Sequence, residues 1–120
     1  MSLFPRTFVA GIPRPYSTDG EKQWKEDIKR TLSPYAGQGR DDDRTQVRYK
    51  VKLTFHVDPL KHAFGPHGPD LDNMLKPVMD ALKGSGIIWD DQAVYEVTAS
   101  KEIMTPTQET GMWVEVERMS

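Results

Sequence analysis

Residues 46–57 alternate without a break: Val47, Tyr49, Val51, Leu53, Phe55 and Val57 interleave with Arg48, Lys50, Lys52, Thr54 and His56. A period of two puts the apolar groups on one face of a β-strand and the polar ones on the other. A strand this long with one apolar face belongs in a sheet whose inner side is covered. Two amphipathic stretches can supply the cover. The first starts at Thr18, with Glu21 completing a capping box, and runs to about Leu32 with Trp24, Ile28 and Leu32 on one side. The second follows Asp70. Its apolar positions Leu71, Met74, Leu75, Val78, Met79 and Leu82 recur at i, i+3, i+4, i+7, i+8 and i+11, a single buried stripe. Lys83-Gly84-Ser85-Gly86 then ends it.

Three further strands are predicted. Residues 3–12 place Phe4, Phe8, Ala10 and Ile12 on one parity, with Pro5 suited to an edge or a strand start. Residues 93–104 align Tyr95, Val97, Ala99 and Ile103, with Lys101 sharing that inward register. Residues 111–118 form the last strand, expected to pair as a hairpin with its predecessor across a turn at Pro106. The reading is a single α+β domain over residues 1–120, a mixed or antiparallel sheet with two main helices. Between helix and strand, residues 33–45 read as a polar loop. Its Asp41-Asp42-Asp43 run, flanked by Arg40 and Arg44, reads as a mobile surface turn rather than a cation site.

The totals narrow the function classes. A chain of 120 residues has room for one real core. It has no Cys, which excludes disulfides and thiolate zinc sites. Histidines 56, 62 and 67 match no zinc spacing. With no signal core and no membrane-length apolar run, a cytoplasmic protein is expected. Net charge is −2, yet residues 1–69 carry twelve Lys or Arg against eight Asp or Glu, and residues 70–120 carry four against ten. A basic half beside an acidic one suits a surface that attracts phosphates next to one that holds cations, although chance segregation also produces it.

The acids of the second half are concentrated around one helix. Asp70 and Asp72 open it, and Asp90-Asp91 follow its end. Hard divalent cations take oxygen ligands and are held by one or two carboxylates, with water and phosphate completing the shell. A helix entry also turns free N–H groups toward anions. Lys76 lies one turn after Asp72, ~6 Å up the same face, within reach of a bound phosphate. Asp80, ~12 Å along the axis, is too far for a shared ion and suits pairing with Lys76 or Lys83. Neighbours on an extended chain point opposite ways, so only one of Asp90 and Asp91 is expected as a ligand. An EF-hand is excluded, because the sixth-position Gly and twelfth-position Glu are missing. A capping aspartate plus an acidic surface turn is the plainer alternative to a divalent-metal site handling phosphodiesters. On the strand, Arg48, Lys50 and Lys52 form a row spaced ~7 Å, close to the phosphate spacing of a DNA strand. It is either an ordinary solvated face or a backbone track. Phe64 in the loop 58–69 either stacks on a base or packs locally.

Asp70-Leu71-Asp72-Asn73, Lys76, Asp80-Ala81-Leu82 and Asp90-Asp91 together resemble the RusA family of Holliday-junction resolvases, closely over residues 69–101. The resemblance implies a small homodimeric endonuclease, often prophage-encoded, that uses Mg²⁺ (Mn²⁺ may substitute) to nick four-way DNA junctions symmetrically in recombination and repair. It implies Asp70, Asp72 and Asp91 as metal ligands, Lys76 as the essential cation, Asn73 as a site-shaping neighbour and Asp90 as a supporting one. Some relatives carry several arginines before the first aspartate, where this chain has Gly65-Pro66-His67-Gly68-Pro69. Backbone grip then falls to Arg48, Lys50 and Lys52, with Lys101, which either snorkels at the strand end or is aimed at the site, as a further DNA-binding candidate. A flap or other branched-DNA nuclease and a junction-binding protein that does not cut are the rival readings.

Overall fold

Strand β2 (Arg48–Val57) organises the domain as its alternation demands: Tyr49, Val51, Leu53, Phe55 and Val57 are buried while the intervening residues reach solvent. The computed structural model describes residues 2–11, 18–58, 70–104 and 109–119, and of residues 18–20 the backbone. Strand β4 (Gly111–Met119) runs antiparallel along one side of β2, and β1 (Thr7–Ala10) pairs antiparallel with the other side of β4. Strand β3 (Val94–Ile103) lies parallel to β2 at the far edge, giving the order β1-β4-β2-β3. Helices α1 (Thr18–Thr31) and α2 (Leu71–Gly84) pack on each other, and their buried residues join those of the sheet in one core. The expected α+β sheet with two main helices is the fold observed. Among the described residues no helix is long and apolar enough to cross a membrane.

The hairpin expected between the last two strands does not form. A parallel pair needs a long crossover, and α2 provides it between β2 and β3. Strand β4 instead enters the middle of the sheet, between β1 and β2, where Met112, Val114 and Val116 are each 0% exposed. Strand β3 has the predicted inward register, with Val97, Ala99, Lys101 and Ile103 beside Val51, Leu53, Phe55 and Val57. The helices do not cover it. Tyr95, Val97 and Ile103 remain 63%, 44% and 51% exposed. The turn at Pro106 lies outside the described residues.

Strand β1 is shorter than expected and its parity is reversed. Val9 is the buried residue, while Phe8 packs on the open face against Trp113, with ring centroids 5.1 Å apart. Phe4 is buried ahead of the strand, stacked on Tyr35 at 4.8 Å, and Ile12 lies outside the described residues. In α1, Trp24 and Ile28 are buried as predicted, as is Leu32 just after it. The Thr18 side chain and its capping box lie outside the described residues. In α2 the stripe Met74, Val78 and Leu82 is buried, with Leu71, Leu75 and Met79 at its margins. Asp80 does not pair with Lys76 or Lys83. It faces α1 and meets Lys25 at 3.2 Å, tying the two helices together.

The acidic run in the α1–β2 loop is not a loose turn either. Asp42 accepts the Tyr49 hydroxyl and pairs with Arg118, whose Nη2 lies 2.9 Å from Oδ1 and whose Nε lies 3.1 Å from Oδ2. Asp43 accepts both the amide and the hydroxyl of Thr45, which closes the turn and holds the Asp43 carboxyl below its usual range. Tertiary partners fix this segment, and sequence composition is blind to them.

Candidate active site

The register that buries Met74, Val78 and Leu82 turns Asp72, Asn73 and Lys76 outward, and all three are exposed. Asp70 is the N-cap residue in extended conformation (φ −69°, ψ 141°). It caps through its carbonyl, which accepts the Met74 amide at 3.2 Å, and not through its exposed carboxylate. Asp72 Oδ1 accepts the neighbouring Asn73 amide at 3.1 Å. Neither Asp72 nor Lys76 makes an ion pair among the described residues. The entry of α2 therefore presents carboxylates and an ammonium group to solvent, with the two signs one helical turn apart.

Asp90 and Asp91 do not point in opposite directions. Asp90 is extended (φ −163°, ψ 151°), but Asp91 opens a short 3-10 turn, Asp91–Ala93, which swings its side chain back. The two carboxyl groups hydrogen-bond to each other. That bond, with the Gln92 amide at 3.0 Å and the charge of Lys83, lowers the pKa of Asp90. The same bond, some desolvation and the negative charge of Asp90 raise that of Asp91.

Asp90 is anchored by Lys83, whose Nζ lies 3.8 Å from Oδ2. Lys83 belongs to the last turn of α2, and Asp72 lies in the first, ~16 Å away along the axis. Among the described residues no three His, Asp or Glu side chains are placed to hold one metal ion. So the structure brings Asp90 and Asp91 together, and Asp70 and Asp72 stand on the first turn of α2, but one chain does not gather Asp70, Asp72 and Asp91 around a point. Their exposed oxygen donors fit a hard divalent cation in kind.

A family model for the endodeoxyribonuclease RusA matches residues 6–117. The chain belongs to the RusA endodeoxyribonuclease family. The match extends from just before β1 into β4, so it covers the whole fold and not only the acidic motif. Among curated proteins no match was found. A RusA-family chain is a nuclease of the Holliday-junction resolvase type.

The row on β2 is not a bare cationic track. Lys50 Nζ lies 3.8 Å from Glu96 and stands across from Glu117, and Lys52 stands across from Glu115. The Arg48 guanidinium rests over the Tyr95 ring at 4.9 Å. Lys101 is on the opposite, helix-side face, in register with Phe55. His56 also lies on the open face, 3.4 Å from Glu102. Phe64 and histidines 62 and 67 lie outside the described residues. What the sequence reading passed over is Arg40 and Arg44. The glycine-rich loop and the acids between them signalled a turn, and only the fold reveals what they stand beside.

Proposed function

We propose that this RusA-family protein is a structure-selective endodeoxyribonuclease that resolves four-way DNA junctions by paired symmetric nicks. In this reading it acts as a cytoplasmic homodimer with Mg²⁺, or Mn²⁺ in its place. The observation that carries the reading is the family match over the whole fold, together with carboxylates exposed at the entry of α2 and just after its end. Asp27, Asp42, Asp80 and Glu115 are spent on ion pairs within the domain. Asp72 and Asp91 are exposed and have no basic ion-pair partner among the described residues.

Asp70, Asp72 and Asp91 are the residues that would hold the divalent cation, whose chemistry when bound is to polarise the scissile phosphate and activate a water. Lys76 offsets the negative charge that builds on the phosphate during attack. Asn73 shapes the entry of the helix, and the Asp90–Lys83 pair keeps the acidic turn in place. Arg48 and Lys52 are the members of the β2 row best able to meet a DNA backbone, since Lys50 already has Glu96. Lys101 would contact DNA from the other face.

The uncovered edge of β3 supports the dimer. An isologous pairing about a two-fold axis buries Tyr95, Val97 and Ile103 of both copies and closes on itself. A crossover helix runs back along its strands, so the first turn of α2 lies toward the end of β3, and Asp91 precedes its start. Antiparallel pairing of two β3 strands thus carries the second copy's Asp91 toward Asp70 and Asp72, and offers two sites to one junction.

The test offers labelled four-way junction, flap and linear duplex to the protein with Mg²⁺ and with chelator. Metal-dependent cutting confined to the junction is expected. Cutting of flaps instead, or tight binding with no product, would replace this reading with one of its rivals. Asp72→Asn should abolish cutting and preserve binding. If that variant cuts as fast as the parent, the acidic site is misassigned.

A further inference from the structure

The α1–β2 loop and the tail of α2 enclose a cavity of about 240 Å³, lined by Arg40, Arg44, Lys83, Ile88 and Trp89 over the glycines that end the helix. Three cations converge on it from two segments. Neither arginine makes an ion pair among the described residues, and both are exposed. The Arg44 guanidinium stacks over the Trp89 ring at 5.4 Å. The indole N–H of Trp89 is buried with no acceptor among the described residues. A cavity with cationic donors and an apolar wall has the chemistry to take an anion joined to an apolar or ring-bearing body.

The cations are also held in place. The loop is fastened to the helix tail by the Gly37 amide on the Ser85 carbonyl at 2.9 Å and the Gly39 amide on the Gly86 carbonyl at 2.8 Å. Arg40 lies across Gly86, which sits at φ 73°, and a Cβ there would come within 2.8 Å of Arg40 Nε. Asp42 pins the same loop to Tyr49 and Arg118. On the other wall, Lys83 reaches Asp90 at 3.8 Å, so the cavity adjoins the Asp90–Asp91 pair.

We infer that this cavity is a docking site for a backbone phosphate of the DNA substrate, with Arg40 and Arg44 as its phosphate contacts and Trp89 as the wall for the attached sugar or base. The assignment rests on the nuclease reading above. It supplies a grip on DNA that the charge-compensated row on β2 does not, beside the acids assigned to the chemistry. Arg40 and Arg44 are positioning residues here and take no part in bond breaking.

The experiment measures binding of a labelled four-way junction by anisotropy, in chelator, over a series of salt concentrations. The parent is compared with Arg40→Gln/Arg44→Gln and with a charge-matched control, Lys22→Gln/Arg30→Gln, on the exposed side of α1. Removing two phosphate contacts should weaken binding on the order of tenfold and flatten the log–log salt slope by about two. The control should keep the parent slope. Arg44→Gln alone, which leaves Arg40 over Gly86 and the backbone bonds of the loop in place, should flatten the slope by about one and serves if the double variant unfolds. A parent that binds and cuts, beside variants of unchanged affinity and slope, overturns the cavity assignment and spares the nuclease reading. A control that flattens the slope equally also overturns the assignment. A parent that neither binds nor cuts junctions overturns both.

Discussion

Replacing Asp42 by alanine removes one carboxylate that serves two buried or half-buried partners from β2 and β4. The Tyr49 residue is 0% exposed, so its hydroxyl loses its acceptor where water cannot easily replace it. An unsatisfied buried donor costs ~1–2 kcal/mol. Arg118 loses charge-assisted bonds at 2.9 and 3.1 Å. Its side chain is 25% exposed and still reaches the Gln38 carbonyl at 3.2 Å, so solvent recovers part of that loss. Roughly 1–2 kcal/mol remains. The total is ~3 kcal/mol, which in a domain of this size lowers Tm by ~12 °C. Urea unfolding followed by tryptophan fluorescence gives the value directly. Asp41→Ala is the internal control: Asp41 is exposed, and the change should stay within ~0.5 kcal/mol of the parent. Asp42→Asn should fall between them, since it keeps an acceptor for Tyr49 but no charge for Arg118. If Asp42→Ala unfolds within ~1 kcal/mol of the parent, the loop is not anchored as described.

The same network has a pH signature. Burial first, and the bond to Asp42 second, push the Tyr49 phenol up to about 12 from 10.0. The neutral form is favoured in the folded state, so this contribution is complete below the unfolded pKa and is lost as pH rises through about 12. Tyrosinate absorbance should show a late-titrating phenol that disappears in Tyr49→Phe; a late phase that survives in that variant would contradict it. A Cβ at Gly39 would lie 2.6 Å from the Ile87 carbonyl oxygen and 2.9 Å from Ile88 Cα, both rigid backbone. Gly39→Ala should therefore cost ~2 kcal/mol in the same urea assay, and a change below ~0.5 kcal/mol would show that the loop can move aside. On the β3 edge, Val97→Lys with Ile103→Lys should yield a stable monomer by sedimentation. An unchanged sedimentation coefficient would place the dimer contact elsewhere, or show that the parent is already monomeric.

Strand β2 and helix α2 were legible because each uses one period for one core: every second residue in the strand, every third or fourth in the helix. Strand order was not legible. Tyr95, Val97, Ala99 and Ile103 alternate as regularly as Met112, Val114 and Val116, and nothing local says which set will be covered. Strand β1 misled for a different reason. Phe8 packs on Trp113 and His56 across the open face while Val9 fills the core, so a strand with apolar contacts on both sides carries no parity signal. The acidic motif was readable as chemistry, because D-x-D followed one turn later by lysine is unusual for a helix entry. Its geometry was only half readable. The expectation for Asp90 and Asp91 assumed extended backbone through both residues, and the 3-10 turn starting at Asp91 removes that assumption. Asp41, Asp42 and Asp43 are equivalent in composition, and only the positions of Tyr49 and Arg118 single out the middle one.

The placement of the acids also explains why fold and chemistry can be separated in this domain. Like charges at a site tend to destabilise the fold that carries them, and the cost depends on how far solvent screens them. Here Asp70, Asp72 and Asp91 are all exposed, on the outer side of a helix whose inner side is fixed by Met74, Val78 and Leu82 and on a short turn held by the Asp90–Lys83 pair. Water screens their repulsion, and the core that orients them contains none of them. Changing one to its amide removes charge without opening a cavity or stranding a buried donor. A loss of cutting in Asp72→Asn therefore reports on the site itself, whereas the same loss in an Asp42 variant would have to be attributed first to the fold.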